Sequence, residues 1–170
     1  MILIAKPLCL CISVMSKKGL EVTKVYPNIL NQAIINEIAL KSMPFGAKEG
    51  DFTTITLSDN KIFSGLVFTV PHLLSRDNIA SLIAVFESMS YNAEILQENF
   101  TLLINSLKEF NVISSDKVTD LLPEIFAGIK LEKFNLNIKR GKNITFNFTN
   151  LDAKFVKKDK LKEFTSDVWG

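Results

Sequence analysis

Ile79-Ala80-Ser81-Leu82-Ile83-Ala84-Val85-Phe86 is the stretch on which the fold turns. Ile79, Leu82, Ile83 and Phe86 fit one face of a helix. Ala80, Ala84 and Val85 fill the opposite side, leaving Ser81 as the one polar residue. A short run that is apolar all round suits a central strand, covered on both faces, better than a surface helix. Read as a strand, it calls for strands on either side of it and for helices above and below.

The segments upstream supply the neighbours. Leu8 to Met15 is a continuous apolar run that turns at Lys17-Lys18-Gly19 into a second strand, Leu20 to Tyr26. Phe52 to Leu57 and Lys61 to Val70 are rich in β-branched and aromatic residues, and the polar turn Ser58-Asp59-Asn60 joins them as a hairpin. Between these pairs, Leu30, Ala33, Ile34 and Ile38 recur at i, i+3, i+4 and i+8, which predicts an amphipathic helix over 29–43. Asn28 can cap it, and Pro44 ends it by disfavouring a helical residue before itself.

Downstream, Ile95, Leu96, Phe100, Leu103, Ile104 and Leu107 form one stripe and predict a helix over 92–110. Ser114 or Ser115 caps a second helix over about 116–127, with Val118, Leu121, Leu122, Ile125 and Phe126 inward. Pro123 is expected to kink or split it, and Gly128 to stop it. Phe134, Leu136 and Ile138 then alternate with polar residues, turn at Lys139-Arg140-Gly141-Lys142-Asn143, and alternate again over 144–148. This is the strongest hairpin signal in the chain.

The first fifteen residues are almost all apolar, yet the run is broken by Lys6-Pro7 and stops at Ser16-Lys17-Lys18. A transmembrane helix needs about 20 apolar residues. A signal peptide places its positive charge before the apolar stretch, whereas Lys6 lies within it. Cys9 and Cys11 are the only cysteines and, at i and i+2 of a strand, share a face. Two thiols and the single His72 cannot complete a four-ligand zinc site, so both cysteines read as small core residues in a reducing cytoplasm. The sequons at Asn99, Asn143 and Asn147 are then chance matches.

Over 170 residues, 47% hydrophobic and 22% charged, the composition excludes global disorder, and a net charge of +2 does not announce a nucleic-acid binder. The placement of charge says more. Residues 130–170 carry a balance of +5 and the first 129 a balance of −3. Lys139, Arg140, Lys142, Lys157, Lys158 and Lys160 could meet an anionic membrane surface, although a solvated lysine-rich face is the simpler reading. Chemistry is hard to find. His72, Ser75 and Asp77 sit too close along one connector to form a triad readily. Gly141-Lys142 lacks the earlier glycine and the Ser or Thr of a phosphate loop, and no GxGxxG, HExxH or CxxC pattern occurs. No cofactor or metal is implied.

The elements run strand, strand, helix, strand, strand, strand, helix, helix, and among them stand Tyr26-Pro27, Met43-Pro44-Phe45-Gly46, Asp51-Phe52-Thr53-Thr54-Ile55-Thr56-Leu57 and Phe63-Ser64-Gly65-Leu66-Val67-Phe68. In that order and those segments the chain resembles the longin family, in particular the divergent longin domains of DENN-type, folliculin-type and nitrogen-permease-regulator-like proteins and their relatives in Asgard archaea. The likeness covers about residues 7–128 and divides the chain into a longin-like domain (1–128), a hairpin extension (129–150) and a basic tail (151–170). The resemblance implies an α/β (α+β) fold, with a mixed, mainly antiparallel sheet and helices on both faces. It also implies a non-enzymatic role: a cytoplasmic platform, with peripheral contact to anionic membranes, for a small GTPase or for another longin or roadblock domain, with a homodimer as a further option and no nucleic acid. Some folliculin-like members supply an arginine to a bound GTPase, and by region Arg76 would be that residue here. A helical reading of 79–86 would instead move the chain toward a small-molecule sensor with a PAS- or profilin-like sheet.

Overall fold

The computed structural model describes residues 6–16, 19–44, 46–71, 78–149 and 151. Its elements follow the order β1 (Cys9–Ser16), β2 (Gly19–Tyr26), α1 (Gln32–Lys41), β3 (Phe52–Thr56), β4 (Ile62–Val70), β5 (Asn78–Phe86), α2 (Ala93–Glu109), α3 (Ser115–Lys130), β6 (Lys133–Lys139) and β7 (Lys142–Asn147). The five-stranded sheet has the order β2-β1-β5-β4-β3, and each of its four pairings is antiparallel. The apolar run 79–86 is thus the middle strand, paired on both edges and buried on both faces from Ala80 to Phe86.

Strand alternation divides the core in two. On one face Cys9, Cys11, Val25, Phe63, Ile83 and Val85 pack under Ile34 and Ile38 of α1. On the other, Leu10, Ile12, Leu66, Phe68, Leu82 and Ala84 meet α2 and α3 through Leu96, Phe100, Leu103, Leu107, Val118, Leu122 and Ile125. The inward side chains of the β6–β7 hairpin, Leu136, Ile138, Ile144 and Phe146, belong to this second cluster. Lys6 Nζ donates to the carbonyls of Ile129 (2.9 Å) and Lys130 (3.2 Å), satisfying the end of α3.

Three details differ from the sequence reading. Helix α1 is capped by Asn31, whose side chain accepts from Ile34 N–H at 2.9 Å, and not by Asn28. Ile29 N–H bonds the Pro27 carbonyl, and this tight turn delays the helix. Helix α3 is not split at Pro123 but continues beyond it, since its buried face (Val118, Leu121, Leu122, Ile125, Ile129) holds both sides of the proline against the core. It also runs past Gly128 to Lys130, because Gly128 is where the Phe134 ring lies on the helix backbone. Of the two serines offered as the cap of α3, Ser114 is the one that caps it, and α2 is capped by Asn92.

Cys9 and Cys11 are both fully buried free thiols on the α1 face of β1. The Cys11 thiol is pushed up from its ordinary range, first by its hydrogen bond with Cys9 and then by burial. Thiolate is the reactive form. Because both cysteines are fully buried, both are expected to resist alkylation in the native chain at neutral pH and to react fully in denaturant, which mass spectrometry after iodoacetamide treatment would read.

Glu37 of α1 ties that helix to the β3–β4 turn. Its carboxylate accepts from Ser58 N–H (3.0 Å) and Ser58 Oγ (2.7 Å) and pairs with Lys41 (2.7 Å). The Lys41 bond, then the Ser58 bonds, lower its pKa from 4.5 to about 2. A carboxyl with a depressed folded pKa stabilises the fold above its unfolded pKa and loses that contribution as pH falls through the folded one. The melting-temperature difference between the native chain and Glu37→Gln is accordingly expected to shrink from pH 4.5 down to about pH 2. A constant difference across that window would show that the charge is not what ties α1 down.

Candidate functional site

A sheet of this order has two edges, β2 and β3, and their sequences differ in kind. Natural edge strands block accidental pairing with charges, prolines or bulges. Strand β2 has such devices: Glu21 and Lys24 are exposed, and the pairing of Ile12 with Lys24 but of Ser13 with Val22 leaves Thr23 as a bulge residue. Strand β3, Phe52-Thr53-Thr54-Ile55-Thr56, has no charge, no proline and an uninterrupted register with β4.

The hydrogen bonds flanking β3 fix which of its groups are open. Val67 N–H donates to the Asp51 carbonyl (2.8 Å) at one end, and Leu57 N–H to the Lys61 carbonyl (2.7 Å) at the other. Residues 51, 53, 55 and 57 therefore turn their backbone groups toward β4. By the alternation of an antiparallel ladder, Phe52, Thr54 and Thr56 turn theirs outward. Phe52-Thr53-Thr54-Ile55-Thr56 is also the composition that pairs well, being β-branched and aromatic throughout.

A chain of hydroxyls stiffens this edge from beneath. Thr54 Oγ1 and Ser64 Oγ lie 2.7 Å apart, and Ser64 Oγ and Tyr91 Oη 2.6 Å apart. The Tyr91 ring stacks on Phe86 at 3.7 Å between centroids, and burial raises its phenol pKa. On the opposite face, Thr53 Oγ1 is a buried hydroxyl without a hydrogen-bond partner among the described residues. The directly paired Gly65 brings β4 close to β5: a Cβ there would lie 2.9 Å from Ser81 Oγ.

The basic residues behave less uniformly than their charge suggests. Lys139 Nζ donates to the Phe110 carbonyl at 3.4 Å, and Lys142 Nζ stands 5.7 Å over the Phe110 ring. Phe110 caps the C-terminus of α2, so both lysines sit at the negative end of that helix. Arg140, between them, is exposed at the hairpin turn. Lys157, Lys158, Lys160 and Arg76 lie outside the described residues, as do His72, Ser75 and Asp77. No group of three or more His, Cys, Asp or Glu among the described residues is placed to hold a metal ion. A cleft of ≈ 470 Å³ lined by Thr69, Pro71, Lys108, Asn111 and Ile113 contains, among the described residues, one cation, Lys108, already paired with Glu49.

The sequence displayed Phe52-Thr53-Thr54-Ile55-Thr56 plainly as a strand, but not that it would end the sheet. Its lack of any charge or proline was the available signal. No helix among the described residues is long and apolar enough to cross a membrane. No protein-family model matches the chain, and comparison with curated proteins gives no match.

Proposed function

We propose that this chain is a non-enzymatic interaction module of longin type, which scaffolds small-GTPase regulation or membrane traffic by pairing with another longin or roadblock domain or with a second copy. The observation that carries this reading is the unguarded β3 edge, with three outward-facing residues at the end of a sheet whose other edge is guarded. The element order and the helices on both sheet faces also support it. Exposed apolar side chains beside α1 add contact area: Leu40 is 74% and Ile29 56% exposed. The helical reading of 79–86, which would have favoured a small-molecule sensor, is not the conformation the segment adopts.

The module acts in the cytoplasm, and Arg140 with the lysines of 152–170 gives it peripheral affinity for anionic membranes. Immobilised chain, incubated with lysate supplemented with GDP or a non-hydrolysable GTP analogue, is expected to retain a small GTPase together with a longin or roadblock protein. Retention of neither, with the chain monomeric in solution, would defeat the reading. If a GTPase is retained, Arg76→Ala is the variant that asks whether an arginine of this chain speeds its hydrolysis.

A further inference from the structure

A second edge without a strand partner among the described residues lies on the hairpin. Phe148 N–H donates inward to the Glu132 carbonyl, while Asn147 turns both backbone groups away from β6. Asn99 of α2 meets them: its Nδ2 donates to the Asn147 carbonyl (2.8 Å), and its Oδ1 accepts from Asn147 N–H (3.0 Å). The carboxamide thus imitates one residue of a neighbouring strand. Two residues earlier, Thr145 presents its N–H and C=O in the same outward direction. There the imitation stops and a groove of ≈ 420 Å³ begins, lined by Ile95, Glu98, Leu102, Thr145 and Thr149 besides the asparagines.

We propose that this groove takes an extended segment of a partner protein, added as a third strand to β7, with a basic residue and an apolar residue two positions apart. The spacing comes from the groove floor. Glu98 and Leu102 are one helical turn apart, about 6 Å along the axis. Alternate residues of a strand face the same way about 6.7 Å apart. Strand β7 runs against α2, since Asn147 lies at Asn99 and Lys142 at Phe110. A strand antiparallel to β7 therefore runs along α2 and meets Glu98 before Leu102, taking over the two Asn147 backbone bonds from the Asn99 carboxamide as it enters, which fixes the order as basic, any residue, apolar.

The charge is set by Glu98, an exposed carboxylate with no ion pair among the described residues, in a groove that none of the described lysines or arginines lines. The apolar position is set by Leu102, 41% exposed, with Ile95 beside it. Main-chain bonds supply affinity in such strand addition, and the alternate side chains supply selectivity.

The test uses the full chain and a fluorescein-labelled octapeptide, Ser-Thr-Val-Lys-Thr-Val-Thr-Ser, followed by fluorescence anisotropy and amide NMR. Saturable binding is expected, with the largest amide shifts at Thr145 and Leu102. Glu98→Lys, on the exposed flank of α2, is expected to weaken it by about tenfold, and a peptide with glutamate for lysine to weaken it similarly. Thr145→Pro removes an outward N–H and the exposed bond from Thr145 Oγ1 to Asn135 Oδ1 (2.6 Å), leaves the β6–β7 backbone ladder intact, and is expected to abolish binding. Absence of saturation at about 1 mM peptide, or binding indifferent to Glu98→Lys, would overturn the proposal. So would a Thr145 amide already protected from exchange without peptide and released by Lys154→Glu, because the chain's own Lys154-Phe155-Val156 would then be the occupant.

Discussion

Gly128→Val is expected to cost about 3 kcal/mol of stability, and to loosen the β6–β7 hairpin before the sheet. A Cβ at position 128 would lie 2.4 Å from two atoms of the Phe134 ring, where ordinary contact begins at 3.4 Å. The ring is hemmed in on its far side, stacking on Phe146 at 5.3 Å and on Phe148 at 6.1 Å. Relief therefore means lifting β6 from α3, which uncovers Leu136, Ile138, Ile144 and Phe146, each no more than 8% exposed in the fold. Valine recovers part of the helix propensity that glycine lacks, a gain of a few tenths of a kcal/mol that does not offset such a clash.

For a chain of this length, about 3 kcal/mol corresponds to roughly 6–12 °C in melting temperature. Amide exchange should rise first over 133–147. The cycle with Phe134→Ala supplies the control: that change alone opens a cavity, but in the Gly128→Val background it removes the clash. The double variant is expected to be more stable than the sum of the singles by at least about 1 kcal/mol. An additive pair, or Gly128→Val melting with the native chain, would mean that Phe134 does not rest on α3 as described.

The same contact marks how far the sequence could be read. Within each element the signals were local and strong: an apolar run without a polar face made β5 central, an apolar stripe drew α2, a serine cap opened α3, and alternation drew the hairpin. Gly128 was misread as a stop because glycine after an apolar stripe is ordinarily one. Only the tertiary approach of Phe134 gives it another reason to be glycine. Asn99 failed to register for a related reason. It is buried on α2, and its carboxamide is aimed at a strand 48 residues later, which no window of sequence contains. Which strands would lie at the sheet edges depended on β1 pairing with β5, a long-range contact that leaves no periodic trace.

Thr54→Pro separates the pairing edge from the fold. Because residues 51 and 57 bond β4, the Thr54 N–H faces away from it, and a proline there removes no bond of the sheet. Proline also holds the preceding residue in extended backbone, which Thr53 already adopts as part of β3. The loss inside the molecule is that of the Thr54 hydroxyl's bonds to Ser64 Oγ (2.7 Å) and to Tyr91, worth about 1 kcal/mol each, and Ser64 keeps Tyr91 at 2.6 Å. A strand arriving from outside loses far more. It meets a ring where the central N–H of the edge stood, so that one donor disappears and the chains cannot close to about 4.8 Å. Retention of a longin, roadblock or second-copy partner is expected to fall by at least about a hundredfold, or about 2.7 kcal/mol. The control belongs on the other edge: Glu21→Lys on β2 changes charge where a bulge already prevents pairing, and should leave retention unchanged. If Thr54→Pro melts within a few degrees of the native chain and still retains its partner, the pairing edge is not β3. The apolar surface around Leu40 and Ile29 of the α1 side would then be the next face to alter.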